Sequence, residues 1–234
     1  MITTVLTDLD GTLLPFEQDD FVKLYFGGLC KKLAPLGYQP DHTVKSVWAG
    51  TKAMITNDGG RLNSEAFWDT FNAMNPGLPD ARPVCDDFYC NEFDSVKQCL
   101  KYIPDRKPLI DGLKAAGLRV VLATNPIFPL VGVSTRLGWI GLSPEDFELV
   151  TNYDNNTFCK PNPRYYEEIL AKLGVKPEEC VMLGNSIPED MTAEKLGMKV
   201  FLVNEFIEDP DGAGGSGYAQ GNMEQAIDFV KGLI

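Results

Sequence analysis

The chain contains a single histidine, His42, in 234 residues. One imidazole builds neither a His-based metal cluster nor a Ser-His-Asp triad, so both classes of hydrolase are excluded at the outset. Basic residues are also scarce, with 21 Lys and Arg against 33 Asp and Glu and a net charge of −12. That balance argues against nucleic acid and against anionic membrane surfaces as partners. It does not argue against a small anionic substrate, because a bound cation and one or two local lysines reverse the field inside a pocket. No apolar run approaches the roughly 20 residues that span a bilayer. The N-terminus enters a β-rich run almost at once, so no cleavable leader is expected. Cys30, Cys85, Cys90, Cys99, Cys159 and Cys180 include no Cys-x-x-Cys spacing and lie scattered, several inside apolar patterns. Reduced packing residues in a cytoplasmic protein are expected from them.

What is present begins with Asp8-Leu9-Asp10-Gly11-Thr12-Leu13-Leu14, directly after Val5-Leu6. Positions i and i+2 of a strand point the same way, and Gly11 lets the backbone break away sharply. Two acids converging where a buried strand opens can hold a hard cation, attack an electrophile or trade protons. Standing alone, Asp-x-Asp-Gly reads equally as an acidic turn. Three further segments follow in order: Leu118–Ala123 ending at Thr124-Asn125-Pro126, Lys160 in Cys159-Lys160-Pro161-Asn162-Pro163, and Cys180–Gly184 ending at Asn185-Ser186-Ile187-Pro188-Glu189-Asp190. In these four motifs the chain resembles the haloacid dehalogenase-like (HAD) superfamily, in its Mg-dependent phosphatase branch, from about residue 3 to about residue 204. The resemblance implies an α/β fold, a Rossmann-like parallel sheet core with an inserted all-helical cap domain.

The pattern along the chain points the same way. β-rich runs fall at 3–9, 118–124, 147–151, 180–184 and 199–203, and helical patterns at 108–116, 129–137, 163–173 and 189–196 lie between or beside them. Alternation of this kind predicts βαβ units with every strand C-terminus at one sheet edge, where ligands bind. Residues 16–104 break the alternation and read as four amphipathic helices, about 17–36, 41–56, 63–74 and 84–103. Aromatics at helical spacing there, Trp48 among them, predict a bundle core. The expected division is a core of 1–15 and 105–234 with a cap of 16–104, of the family's C1 type, hinged at Pro15 and Pro104–Pro108. The Gly-rich run 209–217 reads as a mobile loop and lacks the Gly-Lys-Ser/Thr ending of a P-loop. A closing helix is expected at 223–233.

Phosphoryl transfer needs a nucleophile, neutralised equatorial oxygens and a proton source for the leaving group. Asp8 would attack phosphorus, and Asp10 would protonate the leaving alkoxide and then activate water. Thr124 and Asn125 would donate to a phosphate oxygen, and Lys160 would bring charge to Asp8 and the phosphoryl group. The resemblance further implies Mg²⁺ on the Asp8 carboxylate and the Asp10 carbonyl. Its third family ligand, an Asp after the fourth-motif glycine, is here Asn185, which removes one negative charge. Asp190 matches the motif's second acid and is the further candidate metal ligand, with Glu189 beside it. Ser186 reads as a loop hydrogen-bonding group or an N-cap. Lys52 and Arg61, around the Asn57-Asp58 turn, are candidate leaving-group contacts or merely a solvated turn. The expected activity is hydrolysis of a small phosphorylated metabolite. Phosphomutase or haloacid dehalogenase chemistry on the same core, and a weakly active or non-catalytic phospholigand-binding member, are the alternatives. The oligomeric state is not legible in the pattern.

Overall fold

Strands β1 (Thr4–Thr7), β2 (Arg119–Leu122), β3 (Leu149–Val150), β4 (Cys180–Gly184), β5 (Lys199–Val203) and β6 (Gln220–Gly221) form one parallel sheet in the order β3-β2-β1-β4-β5-β6. They are seen in a computed structural model that describes residues 1–210, 212 and 215–234. The chain winds outward from β1 through β2 to β3. It then returns to lay β4 on the other flank of β1 and winds outward again through β5 to β6. The reversal falls between β1 and β4, the place where open α/β sheets bind ligands at their strand C-termini.

The strands read as unbroken apolar runs because both sheet faces are covered. Val5, Leu122, Val181 and Leu183 point into one core cluster. Leu6, Val121, Cys180 and Met182 point into the other. Between β1 and β2 lie helices α1 (Gln18–Leu33), α2 (Pro40–Ile55), α3 (Asn63–Met74) and α4 (Arg82–Asn91). The remaining helices are α5 (Lys107–Ala115), α6 (Leu130–Gly138), α7 (Pro163–Leu173) and α8 (Met223–Lys231). α5, α6 and α8 cover the first face, and α7 covers the second through Tyr165, Tyr166 and Ile169. Phe21, Tyr25, Phe88 and Phe93 of the inserted segment join the first cluster, so insert and sheet share one apolar mass. No helix among the described residues is long and apolar enough to cross a membrane.

Several expectations need correction. The helix expected over 84–103 stops at Asn91, and Phe93–Cys99 winds as a 3₁₀ stretch. The reason is its period: Phe93, Val96 and Cys99 bury one stripe at a spacing of three, which 3₁₀ geometry eclipses and α geometry does not. The helix expected over 189–196 is likewise 3₁₀, Met191–Leu196. Pro35, which has no N–H to give, marks the change of α1 into a short 3₁₀ turn. Strand 147–151 shrinks to the two residues of β3, and β6 was not foreseen, for Gln220-Gly221 carries no β-branched side chain. Trp48, expected in the bundle core, is 49% exposed; α2 buries Val47, Gly50, Thr51 and Met54 instead. The loop reading of 209–217 falls partly on Asp211, Ala213 and Gly214, outside the described residues. The cysteines are free, and all but Cys90 are buried.

Two seams tie insert to sheet. The Lys101 N–H donates to the Pro15 carbonyl at 2.8 Å, which sets the two ends of the insert side by side. The start of α3 is anchored more heavily. The fully buried Asn63 gives its N–H to the Asn156 carbonyl at 3.0 Å, and Ser64 gives its own to Tyr153 at 2.9 Å. The Asn63 amide nitrogen lies 3.3 Å from the Pro126 carbonyl, 3.4 Å from the Phe158 carbonyl and 3.2 Å from Cys159 Sγ.

Candidate active site

Register places the motif residues together. Thr7 is level with Leu122 and with Leu183. The Asp8 N–H donates to the Leu183 carbonyl and the Ala123 N–H to the Thr7 carbonyl. Asp8 is therefore level with Ala123 and Gly184, and Thr124 and Asn185 follow one residue later, so three neighbouring strand ends open into one cleft. Gly11 turns the chain at φ +77°, and a Cβ there would meet the Asn185 amide nitrogen at 2.3 Å. A side chain at Gly11 would thus meet both backbone strain and a collision.

At the centre, Lys160 is 1% exposed and its ammonium donates to Asp8 Oδ1 at 2.8 Å and to Asp190 Oδ1 at 2.6 Å. Burial alone would depress the lysine, but Asp190 and Asp8 carry it well above the usual range. Asp190 Oδ2 accepts from the Ser186 N–H at 3.0 Å, so both of its oxygens are engaged. Burial pushes the Asp190 carboxyl up, an effect that Lys160 opposes. The Thr12 hydroxyl donates to Asn185 Oδ1 at 2.9 Å and lies 3.4 Å from Asp8 Oδ2. The Asn185 amide nitrogen donates to the Phe206 carbonyl at 2.6 Å. The Thr124 carbonyl accepts from the Thr151 hydroxyl at 2.7 Å and the Tyr165 hydroxyl at 2.9 Å, which fixes the strand end that presents the Thr124 side chain. Asn125 donates to both Glu189 carboxylate oxygens at 3.1 Å, and burial lifts Glu189 to about 7.

Two functional candidates were missed in the sequence. Arg136 of α6 is fully buried and donates through Nη1 to Asp10 Oδ2. Its guanidinium lies 4.4 Å from the Phe128 ring centroid, a cation–π contact that helps to hold a charge away from water. Burial and the Asp8 charge raise the Asp10 carboxyl, and Arg136 pulls the other way. Asp10 Oδ1 and Arg136 Nη2 are buried without a hydrogen-bond partner among the described residues. Arg136 reads in sequence as a helix C-terminal base. The signal that finds it is its place on the same helical face as Val133 and beside Leu137, both buried. Glu208 follows β5 in a segment without periodicity, yet lines the pocket.

That pocket holds about 110 Å³ of free space and is walled by Asp8, Asp10, Thr124, Asn125, Asn185, Ser186, Glu189, Asp190 and Glu208, with Gln18, Ile127 and Phe128 on the side facing the insert. Lys52 and Arg61 are not in its wall. Lys52 faces solvent, and Arg61 pairs with Asp69 at 2.6 Å beside a separate groove. Their turn braces itself, with the Asn57 amide donating to the Arg61 carbonyl and Asp58 accepting from the Gly60 N–H. His42 bonds the Met74 carbonyl at the surface, remote from these residues in role.

A profile of haloacid dehalogenase-like hydrolases matches residues 2–197. The chain is 34% identical over 207 residues to the glyceraldehyde 3-phosphate phosphatase of Methanothermobacter thermautotrophicus, covering 87% of this chain and 86% of that one. It is 26% identical to the pyrophosphatase PpaX of Bacillus pumilus over 85% of this chain and 81% of the relative. Among solved structures it shares its fold with a 2-haloacid dehalogenase from Pseudomonas syringae, at TM-score 0.64, 20% identity and full coverage of both chains. An HAD phosphatase from Thermococcus onnurineus aligns at TM-score 0.57 and 20% identity, over 99% of this chain and 97% of that one. With its strand-end acid pair, threonine, lysine and fourth-motif cluster gathered in one cleft, the chain belongs to the haloacid dehalogenase-like hydrolases.

Proposed function

We propose that this enzyme is a Mg²⁺-dependent phosphatase of small phosphate monoesters that works through an aspartyl-phosphate. The observation that carries the reading is the acid-lined cleft built around one lysine-held carboxylate. Asp8, Asp10, Glu189, Asp190 and Glu208 line it, and the two buried cations beside it, Lys160 and Arg136, are already bonded to carboxylates. A phosphate dianion entering such a cleft needs further positive charge. The donors are oxygens, the chemistry of a hard cation. Asp8 Oδ2 and Asn185 Oδ1 already converge on one point, the Thr12 hydroxyl. Among the described residues no three His, Cys, Asp or Glu side chains could hold a metal by themselves. The set the family resemblance implies is Asp8, the Asp10 carbonyl, the Asn185 amide oxygen and water. Bound there, Mg²⁺ would neutralise charge on the phosphoryl oxygens. Asp190, with both oxygens engaged, orients Lys160 instead.

The chain's own groups then divide the work. Asp8 forms the bond to phosphorus. Lys160 and the Thr124 hydroxyl hold equatorial oxygens. Asp10, fixed by Arg136 on one oxygen and raised by burial, gives a proton to the leaving alkoxide and later takes one from water. The two curated relatives named above are a phosphatase and a pyrophosphatase by name, which supports phosphate chemistry.

Turnover of p-nitrophenyl phosphate by the purified protein, with Mg²⁺ and with excess chelator, tests the reading. Activity should require the metal, and Asp8→Asn should reduce it by roughly three orders of magnitude or more. Mg²⁺-dependent turnover surviving in Asp8→Asn would refute the covalent route. Metal-independent turnover of a 2-haloacid would favour dehalogenase chemistry instead.

A further inference from the structure

A second cavity adjoins the acidic cleft and differs from it in every chemical respect. It holds about 90 Å³ of free space and opens in part to solvent, room for a small alkyl or aryl group. Its wall comes from α1, α2, α3 and α4 of the insert and from the Ile127-Phe128-Pro129 segment after β2. No charged residue lines it. The hydroxyls of Tyr25 and Tyr89, both in the wall, bond each other at 2.9 Å, so the polar atoms they bring in are already satisfied. Gln18, Ile127 and Phe128 belong to the walls of both cavities, which makes the two spaces adjacent. Trp48, half exposed and packed 5.7 Å from Phe26, stands in the wall where the cavity meets solvent.

We propose that this cavity is the leaving-group subsite and that the substrate class is the phosphate monoester of an apolar alcohol, alkyl or aryl, without charge or multiple hydroxyls. The inference rests on the phosphatase reading. With a phosphoryl group at Asp8, a leaving group reaching past Gln18, Ile127 and Phe128, the residues common to both walls, would enter apolar space. A carboxylate entering it would be desolvated with no cation to pair with, and a polyol would find few polar partners beyond Gln18, Thr51 and Tyr153. An alkyl or aryl group would instead gain up to about fourfold in affinity for each methylene fully buried.

The test measures dissociation constants of phosphonates in the presence of Mg²⁺. n-Hexylphosphonate should bind at least tenfold more tightly than methylphosphonate, and 3-phosphonopropionate no more tightly than methylphosphonate. Thr51→Glu puts a carboxylate on the wall, and Trp48→Ala removes the half-exposed ring with little threat to the fold. Each should bring the hexyl-to-methyl ratio to within about threefold. Circular dichroism checks folding; if Thr51→Glu does not fold, Trp48→Ala carries the test alone. Equal binding of hexyl and methyl phosphonates by the wild type, or an unchanged ratio in Trp48→Ala, overturns the subsite. Acetyl phosphate hydrolysis separates the two readings. Hydrolysis without a hexyl preference leaves the phosphatase and removes the subsite. A hexyl preference without hydrolysis of any phosphate leaves an apolar ligand site and removes the phosphatase.

Discussion

Asn185 uses both ends of its amide, accepting from Thr12 and donating to the Phe206 carbonyl. An aspartate in its place would turn a carboxylate oxygen towards that carbonyl and lose the donor, a penalty of about 1–3 kcal/mol for an unpaired buried acceptor. It would also return a negative charge to the proposed metal position. Asn185→Asp should therefore melt several degrees lower than wild type in chelator, yet reach half-saturation at several-fold less Mg²⁺. Thermal unfolding with and without metal reads both. An unchanged Mg²⁺ midpoint would place Asn185 away from the ion. Glu189 supplies the pH dependence. Burial raises its carboxyl from an ordinary 4.5 to about 7, so the folded protein holds a proton that the unfolded chain releases. The stability linked to that proton is full below about pH 4.5 and is lost as pH rises through about 7. In chelator, the wild type should lose about 1–2 kcal/mol more between pH 5 and pH 8 than Glu189→Gln, the figure being reduced because the side chain is partly exposed. Urea titrations at the two pH values measure it, and parallel losses in both proteins would refute it.

At the level of elements, the end of β4 is the tightest joint. A Cβ on Gly184 would lie 2.1 Å from Asp190 Oδ2, so the strand closes against the carboxylate that orients Lys160. Gly184→Ala should destabilise by about 1–3 kcal/mol through overpacking. It should lower kcat more than this loss of stability accounts for, because the displaced Asp190 moves Lys160; denaturant unfolding and steady-state kinetics together check it, and normal kcat in a destabilised variant would sever the link. Joints like this one explain what could be read in the sequence. Asp8, Thr124 and Asn185 were legible because each closely follows an apolar strand, and parallel register brings such strand ends to one sheet edge without further information. Lys160 was legible from its Pro-flanked setting. Arg136 was not, since its partner Asp10 is 126 residues away and nothing local distinguishes a buried helical arginine from a solvated one. Glu208 was missed for a related reason, as its segment has no period to place it. The 3₁₀ stretch 93–99 was read as α because a spacing of three is compatible with both until packing chooses.

For the molecule as a whole, the insert and the sheet behave as one body in the contacts they make but divide along the α3 seam. Asn63 touches carbonyls on both sides of the cleft: that of Pro126, next to Asn125, and that of Phe158, two residues before Lys160. Reading the insert as a cap, opening must break these bonds. Asn63→Ala should leave the Lys160 and Thr12 bonds to Asp8 unchanged, speed hydrogen exchange at Ser64 by at least tenfold, and raise KM more than it lowers kcat. Unaltered exchange would show that the seam does not gate the cleft. The seam has one more consequence. On the proposed reading, the peptide units it grips adjoin the groups that would hold phosphate, so a cap opening that released product would also slacken the frame around Asp8 and Lys160. Assembly of the site would then belong to every turnover rather than to folding alone, and an opened enzyme that met water before substrate would be, for that interval, an incomplete catalyst.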